Sequence, residues 1–271
     1  MPTCAGEGCV SGASPEAGGE RMIAGAAGPG ASLFLLAHHD DEGFCAGALT
    51  AALAAGRRVK LLWATAGGLA PAARRLAEGR RVQRLLALPD ADVRLLGLPD
   101  QGAVTYLDRI EAEAAGLMDD VDEVHVTAWE GGHPDHDAMN LVATRLRARA
   151  TGVDGTGRTA LAGDSPRFFE FGLYRRGRGG LAVKTPLRPA EPLLDTGALA
   201  LRRALTHADS SQWPSLGVLA AAGCLQRTWA TEPAGELPAD RDYGAPPAPE
   251  PLLYRLYTRW DFAGFRRAAG L

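Results

Sequence analysis

Residues 32–42, SLFLLAHHDDE, constrain this chain more than any other stretch: an apolar run closes abruptly on two imidazoles and three carboxylates. An apolar run bounded by polar residues reads as a buried strand of a parallel sheet. In an open α/β sheet, ligands collect just beyond the carboxyl ends of such strands. His38 and Asp41 stand there as nitrogen and oxygen donors, a set that suits zinc or a similar divalent ion. A second cluster, GGHPDHD at residues 131–137, follows another apolar segment at 124–129. Two strand ends of one sheet can bring the clusters together, and the functional reading depends on that meeting.

The remaining elements support the sheet. A helix at 43–55 ended by Gly56, a strand at 59–65, a helix opened by Pro71, a strand at 93–96, a helix at 106–118, a strand at 124–129 and a helix at 137–149 alternate at short spacing. Such alternation means βαβ units with right-handed crossovers, hence an α/β fold with a mostly parallel sheet flanked by helices. Beyond residue 150 the pattern predicts a strand at 168–174 and a turn or mobile loop at 175–180. Helices are predicted at 199–206 and after 212, then an irregular wrap at 233–251 with six prolines and a late edge strand at 252–257. Residues 1–30, mostly Gly, Ala, Ser and Glu, read as a disordered tail ahead of a single domain at 31–271. Arg74, Arg75, Arg80, Arg81 and Arg84 on the second helix read as a solvated basic face.

Bulk properties narrow the function. The chain has 271 residues, 46% of them hydrophobic, which is enough for one substantial core. A net charge of −3 marks neither a nucleic-acid binder nor a protein of anionic membranes. No apolar run approaches the roughly 20 residues of a spanning helix, and no signal-peptide pattern opens the chain. Cys4, Cys9, Cys45 and Cys224 form no CxxC pair and read as unpaired thiols. The expectation is a soluble, cytoplasmic protein with a small-molecule substrate; a homo-oligomer is compatible with the sequence.

Taken singly, a buried histidine is more often a core residue than a ligand, and paired aspartates often cap helices. Here five of the six histidines lie in or beside the two strand-end clusters, His125 among them. A catalytic zinc wants three protein ligands and an open position, which His38, Asp41 and His136 supply. Asp40 is then left to accept a proton from water, and His133 to donate to an oxyanion or leaving nitrogen. Those roles make a metal-assisted amide hydrolase.

Residues 37–42, AHHDDE, resemble the A-H-P-D-D-E signature of the LmbE/PIG-L-like zinc-dependent de-N-acetylases, and residues 132–136, GHPDH, resemble that family's second signature. The resemblance covers about residues 32–150 and includes the LGLPD loop at 96–100. It implies a Rossmann-like fold and hydrolysis of an N-acyl group, usually an N-acetyl on an amino sugar or glycoside. It implies zinc or another divalent ion on His38, Asp41 and His136, Asp40 as general base, His133 on the oxyanion and Asp100 as a substrate contact. His207 and Gln212 resemble a family segment ending in H-x-S-Q that here is longer by two residues, so His207 is carried over as a substrate contact near the site.

One departure stands out: His39 occupies the place of the family's proline. It reads as an additional ligand, a substrate contact or a tolerated replacement. A dinucleotide-binding domain is a poor alternative, because the turn after the first strand is acidic where a Gly-rich turn is needed. A non-catalytic metal-binding homologue would tolerate loss of Asp40 or His133, and both are present. An amidase for a bulkier acyl or thiol conjugate remains open, as does a place in specialised-metabolite biosynthesis.

Overall fold

β1 (Ala31–Leu36) is buried along its whole length and lies near the middle of a six-stranded sheet. Its side chains alternate between two cores: Leu33 and Leu35 enter one, Phe34 and Leu36 the other. A strand covered on both faces needs no polar alternation, and burying each leucine contributes about 1.5–3 kcal/mol. The computed structural model describes residues 30–68, 70–151, 165–184, 194–226 and 228–271, so the expected tail at 1–30 falls outside the described residues except for Gly30.

After β1 come α1 (Ala46–Ala54), β2 (Arg58–Thr65), α2 (Ala72–Leu85), β3 (Val93–Leu98), α3 (Leu107–Ala115), β4 (Val121–Thr127), α4 (Pro134–Ala150) and β5 (Arg167–Phe171). The chain continues through β6 (Tyr174–Gly177), β7 (Gly180–Val183), α5 (Thr196–Ala208), α6 (Trp213–Leu225), β8 (Ala234–Glu236) and α7 (Phe262–Ala269). The sheet order is β3-β2-β1-β4-β5-β8, and β6 pairs with β7 in a separate hairpin. All pairings from β3 to β5 are parallel; only β8 runs antiparallel, against β5. This is the expected α/β fold, a mostly parallel sheet between helices.

The chain leaves β1 towards β2 and β3 on one side, and later towards β4 and β5 on the other. The strand order therefore reverses between β1 and β4, where the carboxyl ends of neighbouring strands part and open a crevice. The two polar clusters follow those two strands.

The later elements differ from expectation. The edge strand is Ala234–Glu236, inside the proline-rich wrap, and residues 252–257 instead hold a single 3-10 turn at Leu253–Leu256. Pro233 and Pro238 limit β8 to three residues, which still suffice to pair Gly235 with Glu170. Residues 175–180, expected as a turn or mobile loop, belong to the β6–β7 hairpin. α7 has no counterpart among the expected elements, although Asp261 caps its first turn, Phe262, Phe265 and Ala269 bury one face, and Gly270 ends it at φ 73°.

Candidate active site

Two strand ends build the site. Beyond β1, the Thr65 amide and hydroxyl both donate to the Ala37 carbonyl, at 2.8 and 3.1 Å, which pins the start of the turn to β2. Asp41 folds back so that its Oδ2 accepts from the amides of Ala37 and His38, both at 2.9 Å. Beyond β4, His133 caps α4, with Pro134 in the first helical turn, and its Nδ1 accepts from the Asp135 amide at 3.2 Å. A Cβ on Gly132 would lie 1.9 Å from the Tyr174 carbonyl oxygen, so only glycine lets β6 approach so closely. Asp135 joins the site to the loop after β3 by accepting from the amides of Gln101 at 2.7 Å and Ala103 at 2.9 Å.

Three donors converge between the strand ends. His136 Nε2 lies 3.2 Å from Asp41 Oδ1 and 3.3 Å from His38 Nδ1, and His38 Nδ1 lies 3.8 Å from Asp41 Oδ2. Tetrahedral zinc with bonds of about 2.0–2.1 Å needs donor separations near 3.3 Å, which the two separations from His136 Nε2 match. Asp41 keeps Oδ1 free of backbone partners, as a ligand must. Two further donor groups share these histidines, each with its ligand atoms within 4.8 Å of one another: His38 with His133 and His136, and His38 with Asp100, His133 and Asp135. There Asp135 already holds a backbone amide on each oxygen, and it meets His38 Nε2 at 3.3 Å. That arrangement suits a carboxylate that orients a liganding histidine through its other ring nitrogen.

Charge follows the same division. Burial works against a charged His38, but hydrogen bonds to Asp100, Asp135 and Asp41 outweigh it and raise its pKa well above the ordinary value. Burial would raise Asp41, yet His136 and His38 hold it well below the carboxylate range. Asp40 is pushed up to about 7, chiefly by burial, with Arg75 opposing and Asp41 reinforcing the shift. Burial and the neighbouring His38 and His136 push His133 well below its ordinary value, so it stands neutral. Since its Nδ1 accepts the Asp135 amide, the ring proton of neutral His133 belongs on Nε2.

A cavity of about 300 Å³ opens over this group. His38, Asp40, Asp41, Asp100 and His133 form its polar floor; Phe44, Tyr174, Leu219 and Tyr257 supply apolar walls, and Gln101, Gln212 and Ser215 add amide and hydroxyl groups.

The structure thus brings together His38, Asp40, Asp41, Asp100, His133 and His136. Two expected substrate contacts stand elsewhere. His39 points away from the cavity, with its ring 5.0 Å from that of Trp63 and against Gly79 of α2. Burial lowers its pKa to about 3 and leaves it neutral. His207 packs on Trp213 beside a separate hollow lined by Arg203 and Trp229; of that segment, Gln212 reaches the cavity. His125 is sandwiched between Phe34 and Phe169 within the sheet. Arg75, expected on a solvated face, is fully buried and ion-pairs with Asp40 at 3.0 Å. Sequence reading missed Tyr174, Tyr257 and Phe44, whose positions outside both signatures carry no spacing signal.

Residues 33–146 match the family model described as PIG-L, GlcNAc-PI de-N-acetylase. No curated protein sequence matches the chain. Among solved structures, a conserved protein of Thermus thermophilus superposes with a TM-score of 0.52 at 20% identity, covering 85% of this chain and 100% of that one. A deacetylase of the teicoplanin biosynthesis pathway superposes with a TM-score of 0.51 at 15% identity, covering 78% of this chain and 100% of that one. At these identities the likeness is one of fold.

Proposed function

We propose that this chain, whose residues 33–146 match the PIG-L de-N-acetylase family model, is a zinc-dependent hydrolase removing an N-acyl group, with N-acetyl the expected acyl and an amino sugar or glycoside its carrier. The observation that supports this best is the donor triangle of His38, Asp41 and His136, with Asp40 and His133 facing the same cavity. These three residues would hold the ion, which when bound polarises the acyl carbonyl and acidifies water.

The chain's own groups supply the rest. Asp40 accepts a proton as water attacks the acyl carbon, then delivers it to the amide nitrogen as the C–N bond breaks. The Nε2–H of His133 donates to the oxygen that becomes negative in the tetrahedral stage. A carboxylate and a free amine leave. Asp100, Gln212 and Ser215, which line the cavity, would meet sugar hydroxyls, and Tyr174 and Tyr257 the apolar face of a ring. A volume of about 300 Å³ is at the lower end for small-ligand sites and suits one acylated sugar ring, with any further glycoside outside. The teicoplanin-pathway neighbour, described as a deacetylase, is consistent with a place in specialised-metabolite biosynthesis.

The reading is tested by supplying N-acetylated amino sugars and glycosides to chelated and zinc-reloaded protein and measuring acetate and free amine. Equimolar release by the reloaded protein alone is expected. A fully metal-loaded protein that releases neither product from any member of the panel overturns it.

A further inference from the structure

Arg75 of α2 is fully buried against the turn after β1, and the reaction described above does not use it. Its guanidinium donates to the His39 carbonyl oxygen, to Asp40 Oδ1 at 3.0 Å and to the Ala66 carbonyl at 3.0 Å. It also donates to Glu78 Oε2 at 2.8 Å and to Ser211 Oγ at 3.3 Å. These partners come from the turn after β1, the loop after β2, α2 itself and the segment between α5 and α6. Glu78 in turn accepts from the Ser211 amide at 2.9 Å and its hydroxyl at 2.6 Å, which fixes the plane of the guanidinium.

The residue so gripped is strained. Asp40 sits at φ 149° and ψ −16°, a conformation unfavourable for any residue with a side chain, and such residues persist only where their surroundings over-determine them. Its Oδ1 is taken by Arg75, whereas no described residue hydrogen-bonds its Oδ2, and the side chain keeps 17% exposure where it lines the cavity. Full burial of Arg75 rules out a direct substrate contact for it in this arrangement.

We propose that Arg75 is the positioning residue of Asp40: by holding Oδ1 and the preceding His39 carbonyl together, it fixes the strained turn and directs Oδ2 into the cavity. The catalytic consequence rests on the de-N-acylation reading, in which Oδ2 takes the proton from water; the positional claim does not. A rigid fork is needed because Nη2 must meet the His39 carbonyl and Asp40 Oδ1 while Nη1 is held by Glu78 and Ser211 and Nε by the Ala66 carbonyl. Lysine, a single flexible point charge, cannot do this.

The experiment compares the full-length wild type with Arg75→Lys, Glu78→Gln, Asp40→Asn and the double variant Arg75→Lys/Asp40→Asn. Crystal structures, zinc stoichiometry and separate kcat and KM values are measured. In Arg75→Lys the Asp40 carboxylate is expected to leave its cavity-facing position, with zinc retained. The value of kcat should fall about 10- to 100-fold, a share of the about 10²–10⁴-fold that general acid–base catalysis supplies, while KM stays within about threefold. Glu78→Gln, which loosens the brace but keeps the fork, should lower kcat less. The effect of Arg75→Lys should vanish in the Asp40→Asn background, which a general loss of structure would not produce. An Arg75→Lys crystal structure with Asp40 unmoved overturns the proposal, whether or not the wild type hydrolyses any substrate in the panel. So does a rise in KM at constant kcat, which would make Arg75 a substrate contact. A wild type without turnover whose Arg75→Lys form shows Asp40 displaced removes the hydrolase reading and leaves the positioning role standing.

Discussion

Among the described residues, two buried polar regions of this sheet contrast: one is saturated with hydrogen bonds and the other is not. On the β5 side, Arg241 grips Glu170 with two bonds of 2.6 and 2.7 Å. Asn140 accepts from Arg241 and from the Tyr243 hydroxyl, and donates to the Thr127 carbonyl and to Glu170. Around the end of β1, by contrast, both ring nitrogens of His39 and Nδ1 of His136 are buried without a hydrogen bond among the described residues, and the buried Asp209 carboxyl has only a 3.6 Å ion pair with Arg75 Nη1 and the neighbouring Glu42 carboxyl to meet it. Asp209, beside Glu42 and Asp40, is driven up to about 11, first by burial and then by those neighbours. Each unsatisfied buried group costs about 1–3 kcal/mol. A saturated network can be accounted for by stability alone, whereas an unsaturated one calls for another reason to persist. Beside the donor triangle, that reason is the chemistry proposed here.

The contrast can be broken most forcefully at the triangle. Asp41→Ala removes the proposed carboxylate ligand and the acceptor of two backbone amides. It should abolish zinc binding and hydrolysis together, read by elemental analysis and acetate release. Residual stoichiometric zinc would point to the neighbouring donor group that includes Asp100 and Asp135. Asp40→Asn should keep zinc but lower kcat by about 10²–10⁴-fold, and His133→Ala by about 10²–10³-fold, measured on metal-loaded protein. Near-normal turnover by Asp40→Asn would move the base elsewhere.

The complete network should respond in the opposite sense. Glu170→Ala strands Arg241, which is only 15% exposed, and should lower stability by about 3–5 kcal/mol in denaturant titration. Turnover per folded, zinc-loaded molecule should not change; a specific loss of kcat would merge the two networks into one.

Glu130 offers a finer cut, through pH. Burial raises its pKa to about 8, against the opposing hydrogen bonds from the Leu173 and Tyr174 amides. The folded state therefore keeps a proton that the unfolded chain has released above about pH 4.3, and this contribution falls as pH rises towards 8. Glu130→Gln keeps the acceptor and should flatten that part of the profile, by at most about 1.4 kcal/mol per pH unit, when melting is followed from pH 5 to 8. An unaltered slope would show that Glu130 is ionised in the fold.

The smallest effect belongs to His39. His39→Leu removes two unsatisfied nitrogens from an apolar contact with Trp63, and should raise stability by up to about 1 kcal/mol with zinc and kcat unchanged. A tenfold loss of kcat would restore His39 as a substrate contact.

The strands β1 to β4, their helices and the cluster of imidazoles and carboxylates at the strand ends are legible in the sequence because each is written in contiguous residues. An apolar run that stops on His-His-Asp-Asp specifies a strand end, and GHPDH specifies a helix start whose cap, His133, also lines the cavity. The same local rules place the second helix but misjudge Arg75. A helical repeat says which arginines share a face, and Ser211, which helps to cover that one, lies 136 residues away in the chain. Residues 252–257 imitate an edge strand because Leu252 and Tyr254 are apolar at alternate positions, and both are buried outside the sheet. The three residues that do pair with β5 carry almost no pattern of their own.

By itself, then, the sequence determined the parallel sheet, the two strand-end clusters and the residue types available for chemistry, since strand burial and motif order follow from neighbouring residues. Tertiary structure alone decided which way each side chain faces at the end of β1. The positive φ of Asp40 belongs to the turn that carries His38 into the cavity and His39 towards α2, and Arg75 of α2, itself held by the loop after β2 and by Ser211, donates to both residues of that turn. Tyr174 and Tyr257 join the site for the same reason: distant stretches meet there only once the sheet has brought β1 and β4 side by side.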